Sequence, residues 1–232
     1  MSLVVPAVLP ASREEFEKTL SIFAGIPSVS RIQIDVVDGR LASPASWPYT
    51  APRELSDRVA RGEMLPHLDR IAYEIDLMCT DSEDAAAAWL ALGATRLTFH
   101  VEATVDIGRL LASVRTRYGS FVSLGLALTI ATDPAVIEQS LAGIDYVQFM
   151  GIARIGVQGQ PFDPRVLDRV RAFHAKHPEA AIQVDGGVSL ESAKKLVASG
   201  VTNVIVGSGI LRASDPAAAF AALEALESSY GV

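Results

Sequence analysis

The chain is expected to be an α/β protein, a (β/α)8 TIM barrel forming a single domain over residues 1–232. Three observations predict this. Short apolar or β-branched runs alternate with amphipathic, Ala/Leu/Glu-rich stretches, and eight such pairs are present. Runs such as VVPAVL and NVIVG are apolar almost throughout, as parallel strands buried on both faces should be. The length of 232 residues suits eight units in one closed barrel, and no linker or low-complexity segment interrupts them.

Each element has its own local signal. The first strand, 3–9, precedes a helix at 13–23. The second, 31–37, alternates Ile32, Ile34 and Val36 on one face with Gln33, Asp35 and Val37 on the other, then stops at the Asp38-Gly39 turn. A helix at 52–61 follows. Strand 70–78 leads to a helix at 82–92 closed by Gly93, and strand 96–102 to a helix at 107–118 closed by Gly119. Strand 121–129 runs into Thr132-Asp133-Pro134, where Asp caps and Pro opens a helix at 134–141 that Gly143 ends. Strand 146–152 precedes a helix at 164–174. Strand 181–185 precedes a helix at 190–198 closed by Gly200. Strand 203–206 precedes the last helix, 216–228, which Ser214-Asp215-Pro216 begins in the same way. Glycine just past a helix end supplies the left-handed residue wanted there. Strict alternation implies right-handed crossovers and a parallel sheet.

Composition excludes several classes of function. The net charge is −7 and no basic run occurs, which argues against nucleic acid as a partner. No apolar run reaches the roughly 18 residues needed to span a bilayer. The single cysteine, Cys79, cannot form an internal disulfide and suits a reducing compartment. The N-terminal stretch lacks the basic start of a secretory signal. A cytoplasmic location is expected.

Catalysis in such a barrel belongs at the C-terminal ends of the strands. The polar residues there are Gln33, Asp35 and Asp38; Glu74 and Asp76; His100 and Glu102; Thr129; Gln148; and Asp185. Glycine-rich turns follow the sixth strand (RIGVQGQPF), the seventh (DGGV) and the eighth (VGSGI). Glycines let backbone N–H groups approach an anion, and the loops after strands seven and eight form the phosphate site of many barrels. Asp35, Asp76 and Asp185 all point toward the same barrel mouth. Three anions in a low-dielectric pocket need a bound cation or a shared proton. His100 is expected to be hydrogen-bonded structure. Trp47 and Tyr49, in the long loop after strand two, are expected to serve as a lid or subunit contact.

Seven motifs in order resemble those of the ribulose-phosphate 3-epimerase family: DVVDG (35–39), YEIDLM (73–78), TFHVEA (98–103), GLAL (125–128), IGVQGQPF (155–162), IQVDGGV (182–188) and VGSGIL (206–211). IGVQGQPF stands against the family's Pro-Gly-Phe-Gly-Gly-Gln-x-Phe. The resemblance implies an isomerase of carbohydrate metabolism acting on a small sugar phosphate, and a homo-oligomer. It implies that Asp35 and Asp185 are the two acid/base groups, inverting the carbon next to a ketone through an enediolate. It places phosphate on the backbone of Gly156, Gly159, Gly186, Gly187, Gly207 and Ser208. The substrate pocket would include Ala7, where the family has Ser, with Met78, Met150 and Arg154.

The metal site departs from the family pattern. Gln33 and Asp76 replace two histidines, so the four positions Gln33, Asp35, Asp76 and Asp185 offer oxygen only. Such a set suits magnesium or manganese in preference to zinc or iron. Two alternatives follow from these departures: a diverged sugar-phosphate lyase or isomerase on the same barrel, or a non-catalytic binder of a phosphorylated ligand.

Overall fold

The computed structural model describes residues 2–230. Eight parallel strands close on themselves in sequence order. They are β1 (Val4–Val8), β2 (Arg31–Val37), β3 (Ala72–Met78), β4 (Arg96–His100), β5 (Ser123–Leu128), β6 (Tyr146–Met150), β7 (Ile182–Asp185) and β8 (Asn203–Val206). The crossovers carry α1 (Arg13–Ala24), α2 (Pro52–Ala60), α3 (Ser82–Ala91), α4 (Ile107–Tyr118), α5 (Arg165–Lys176), α6 (Leu190–Val197), a short α7 (Ser208–Leu211) and α8 (Pro216–Tyr230). Among the described residues no helix is long and apolar enough to cross a membrane.

Alternation along each strand divides two environments. Outward residues such as Ile32, Ile34, Leu97, Phe99, Val147 and Phe149 pack against the helices in one apolar shell. Inward residues are largely polar: Gln33, Asp35, Glu74, Asp76, Thr98, His100, Gln148, Gln183, Asp185 and Asn203 are all buried. The register sets them in tiers, with Asp35 beside Asp76 and Asp76 beside Thr98. Asp185 stands beside Met150 on one side and Ile205 on the other.

The expected caps form. Asp133 accepts from the Ala135 N–H and Asp215 from the Ala218 N–H, each at 2.9 Å. Gly93, Gly119 and Gly200 are left-handed. Three expectations are corrected. The segment Pro134–Gly143 is a 3-10 helix, not an α-helix, and Gly143 is not left-handed at its end. Strand β4 stops at His100, and Glu102 lies in a following 3-10 turn, Val101–Ala103. Trp47 is neither lid nor subunit contact: it is fully buried. Its ring stacks on Phe16 at 4.8 Å and meets Trp89 edge-on at 5.8 Å, while Nε1 donates to Glu54. Tyr49 is half-buried and its hydroxyl donates to Asp81. The loop after β2 is thus pinned to the helical shell by aromatic burial.

Candidate active site

The buried charges of the barrel can be assigned partners one at a time. Glu74 is met by Arg96 at 2.9 Å and Arg31 at 3.8 Å. Asp76 accepts from His100 Nε2 and from Gln148 Nε2, both at 2.9 Å. Gln183 Nε2 donates in turn to Gln148 Oε1 at 2.7 Å and to Glu74. Asp35 and Asp185 have no cation among the described residues. They are joined only by Gln33, whose Nε2 donates to Asp35 Oδ1 at 2.8 Å and Asp185 Oδ2 at 3.0 Å.

The electrostatics follow from this inventory. Burial, then the charges of Asp185 and Asp76, push the Asp35 carboxyl far above the ordinary range. Burial, then Asp76, raise Asp185 to about 7, against the opposing pull of Gln33 and His100. The pair therefore holds a proton near neutrality, since two carboxylates sharing one donor in a dry pocket cannot both ionise. Burial works to lower the His100 imidazole, but Asp76 and Glu102 overcome it and hold it at about 10. Burial works to raise Glu102, but bonds from His100, Thr132 and the Thr129 N–H bring it down to about 2. His100 is thus an imidazolium whose charge belongs to Asp76 and Glu102.

The donor set fits a hard divalent cation. One carboxylate oxygen each from Asp35, Asp76 and Asp185 lies within 4.8 Å of the others. Gln33 Oε1 is buried without a partner, and a half-turn of the amide would exchange it with the nitrogen that now faces the carboxylates. Asp76 retains lone pairs beyond the two it has committed.

A cavity opens beside the pair, lined by Ala7, Met78, Met150 and the glycine turns. The N–H groups of Gly156, Gly159, Gly186, Gly187, Gly207 and Ser208 make no turn or loop hydrogen bond to a carbonyl among the described residues. Gly187 is left-handed, and a Cβ there would lie 2.6 Å from Phe162 Cα, so the loops after β6 and β7 touch through it. Of the site residues expected from the sequence, Arg154 alone stands apart. It is exposed and outside the cavity lining; its carbonyl and that of Val157 accept from Gln160 Nε2, which tethers this part of the loop. Three residues escaped the sequence reading. Gln183 sits mid-strand, Arg212 packs over Gly159, and Gln158 lines the cavity. Only Gln158 had a visible signal, as a long side chain where the resembled motif has glycine.

A closed parallel barrel with its reactive groups gathered at the C-terminal ends of the strands is the architecture of a barrel enzyme. Within that class, the chain belongs to the ribulose-phosphate 3 epimerase family, whose model matches residues 4–211. The family is of the isomerase class. The chain is 26% identical over 223 residues to a ribulose-phosphate 3-epimerase of Aquifex aeolicus, covering 93% of this chain and 92% of that one. It is 27% identical over 228 residues to the enzyme so named from Mycobacterium bovis, covering 95% and 91%. In fold it is similar to KGPDC from Streptococcus mutans, with a TM-score of 0.67, 17% identity and coverage of 99% of each chain.

Proposed function

We propose that this chain epimerises the carbon next to the ketone of a ketose phosphate by proton transfer between Asp35 and Asp185. The observation that carries the reading is the pair itself. The two carboxyls are buried on strands β2 and β7, bridged by one amide, and have no ion-pair partner among the described residues, the His100 charge being engaged by Asp76 and Glu102. A pair sharing one proton presents a base and an acid together. The ionised member removes the proton from the substrate carbon, leaving an enediolate. The protonated member returns its proton to the opposite face, and the pair ends with its roles exchanged, so the reaction runs equally in reverse. Gln33 holds both groups in place. Met78 and Met150 wall the site against water.

The glycine turns beside the pair bind the substrate's phosphate through backbone N–H groups. Asp35, Asp76, Asp185 and Gln33 would hold a magnesium or manganese ion, which when bound supplies positive charge for the enediolate oxygen. The names of the curated relatives make ribulose phosphate the first substrate to try.

The test is exchange. Ketopentose and ketohexose phosphates are incubated with the protein in D₂O, with and without Mg²⁺ or Mn²⁺. Deuterium is expected at the epimerised carbon of one of them, together with its epimer. Absence of deuterium from all of them sinks the reading, and a new aldehyde or triose phosphate would point instead to carbon–carbon cleavage.

A further inference from the structure

The anion cradle contains a side-chain donor that nothing in the protein uses. Gln158 lines the cavity between the left-handed Gly156 and Gly159. Its Nε2 is buried and has no hydrogen-bond partner. An amide nitrogen left dry and unpaired costs about 1–3 kcal/mol, so a partner is to be sought in what the cavity binds. The nitrogen lies against Gly207, since a Cβ built on Gly207 would sit 2.7 Å from it. It therefore stands among the glycine turns, at the end of the cavity assigned to phosphate.

The neighbouring polar groups have other duties. Asp35 and Asp185 belong to the reaction centre and would repel an anion. Gln160, two residues along, commits its own Nε2 to the carbonyls of Arg154 and Val157. Of the two glutamines on this loop, one shapes the loop and the other is left to the ligand.

We propose that Gln158 is a specificity residue: its Nε2 donates to a phosphoryl oxygen of the substrate and adds a side-chain contact to a backbone cradle. Gly207 is glycine partly to leave room for this amide. The proposal rests on the phosphate reading above and refines it. Because the amide meets the phosphate and not the reacting carbon, its loss weakens ground state and transition state alike. KM then rises while kcat stays.

Binding of inorganic phosphate, measured by titration calorimetry on the whole chain, separates this proposal from the reading it rests on. Gln158→Met keeps the volume and removes the donor; Gln158→Glu keeps the shape and sets a carboxylate against the anion. Phosphate affinity is expected to fall about 10- to 100-fold in the first, the value of one hydrogen bond to a charged group, and further in the second. With the substrate found by exchange, KM should rise by a similar factor in Gln158→Met and kcat change less than about twofold. Phosphate binding by either variant as tight as by the unaltered chain overturns the proposal while leaving the cradle intact. No phosphate binding by the unaltered chain overturns both.

Discussion

Asp185→Asn should slow proton exchange into the substrate by about a thousandfold and leave phosphate binding nearly unchanged. An amide is the same size as the carboxyl and can neither take nor deliver the proton, and general acid–base groups are typically worth a factor of 10² to 10⁴. The glycine turns are untouched, so inorganic phosphate should titrate as before. The same variant should melt at a higher temperature than the unaltered chain at pH 8 in the presence of a chelator. Asp185 is buried against Asp35 and Asp76, and its neutral analogue removes a charge that the fold holds at a cost. Activity and stability should therefore move in opposite directions, as at sites built for chemistry at the expense of stability. A variant that melts lower and loses phosphate binding would show that Asp185 serves the fold instead.

The metal-free protein should lose stability as pH rises from about 4 to about 7. Asp185 has a folded-state value of about 7 against an ordinary 3.8, and Asp35 is displaced in the same direction. Between those limits the folded chain binds more protons than the unfolded one, so raising the pH favours unfolding. At 1.36 kcal/mol per pH unit, the loss is on the order of 3 kcal/mol, or roughly 6–12 °C in Tm for a chain of this length. His100 acts in the same sense at higher pH. It stabilises below its ordinary 6.5, and that contribution disappears as pH climbs through about 10. Glu102, held at about 2, limits stability only on the acid side. Millimolar Mg²⁺ or Mn²⁺ should restore stability at pH 8 and do little at pH 5, where protons occupy the same carboxyls. Thermal scans at the two pH values, chelated and with metal, test this. A chelated protein equally stable at both, or one that gains stability as pH rises, sinks it.

Much of the barrel was legible because its signals are local. Asp-Pro starts and glycine stops each act within one turn of helix, and the eight apolar runs needed no partner to be seen. Strand alternation sends Gln33 and Asp35 inward together, so two of the residues that gather at the barrel mouth are readable from β2 alone. What stayed hidden depends on contacts across the barrel. Gln183 reads like a solvated strand residue until Glu74 and Gln148 surround it. Trp47 reads as a lid or subunit contact until Phe16 and Trp89 close over it. Over ten residues, Pro134–Gly143, the repeats of a 3-10 and an α-helix are too close to separate by pattern. The protonated partner of Asp76 could not be inferred either, because His100 is on another strand and its charge is set by two carboxylates.

The knit of hydrogen bonds through the barrel centre also constrains how such a chain can change over generations. Replacing Asp76 alone would leave the His100 imidazolium facing an empty place, and breaking a buried pair costs about 3–5 kcal/mol, a large share of a domain's stability. Gln183 and Glu74 are tied in the same way. Exchanges of ligand type on these strands must therefore come as coordinated pairs. The Gln158 side chain is under no such bond, since its amide nitrogen answers to no protein group. Drift can proceed there one codon at a time, so divergence in what the barrel accepts should accumulate at the rim well before the chemistry at its centre is rewritten.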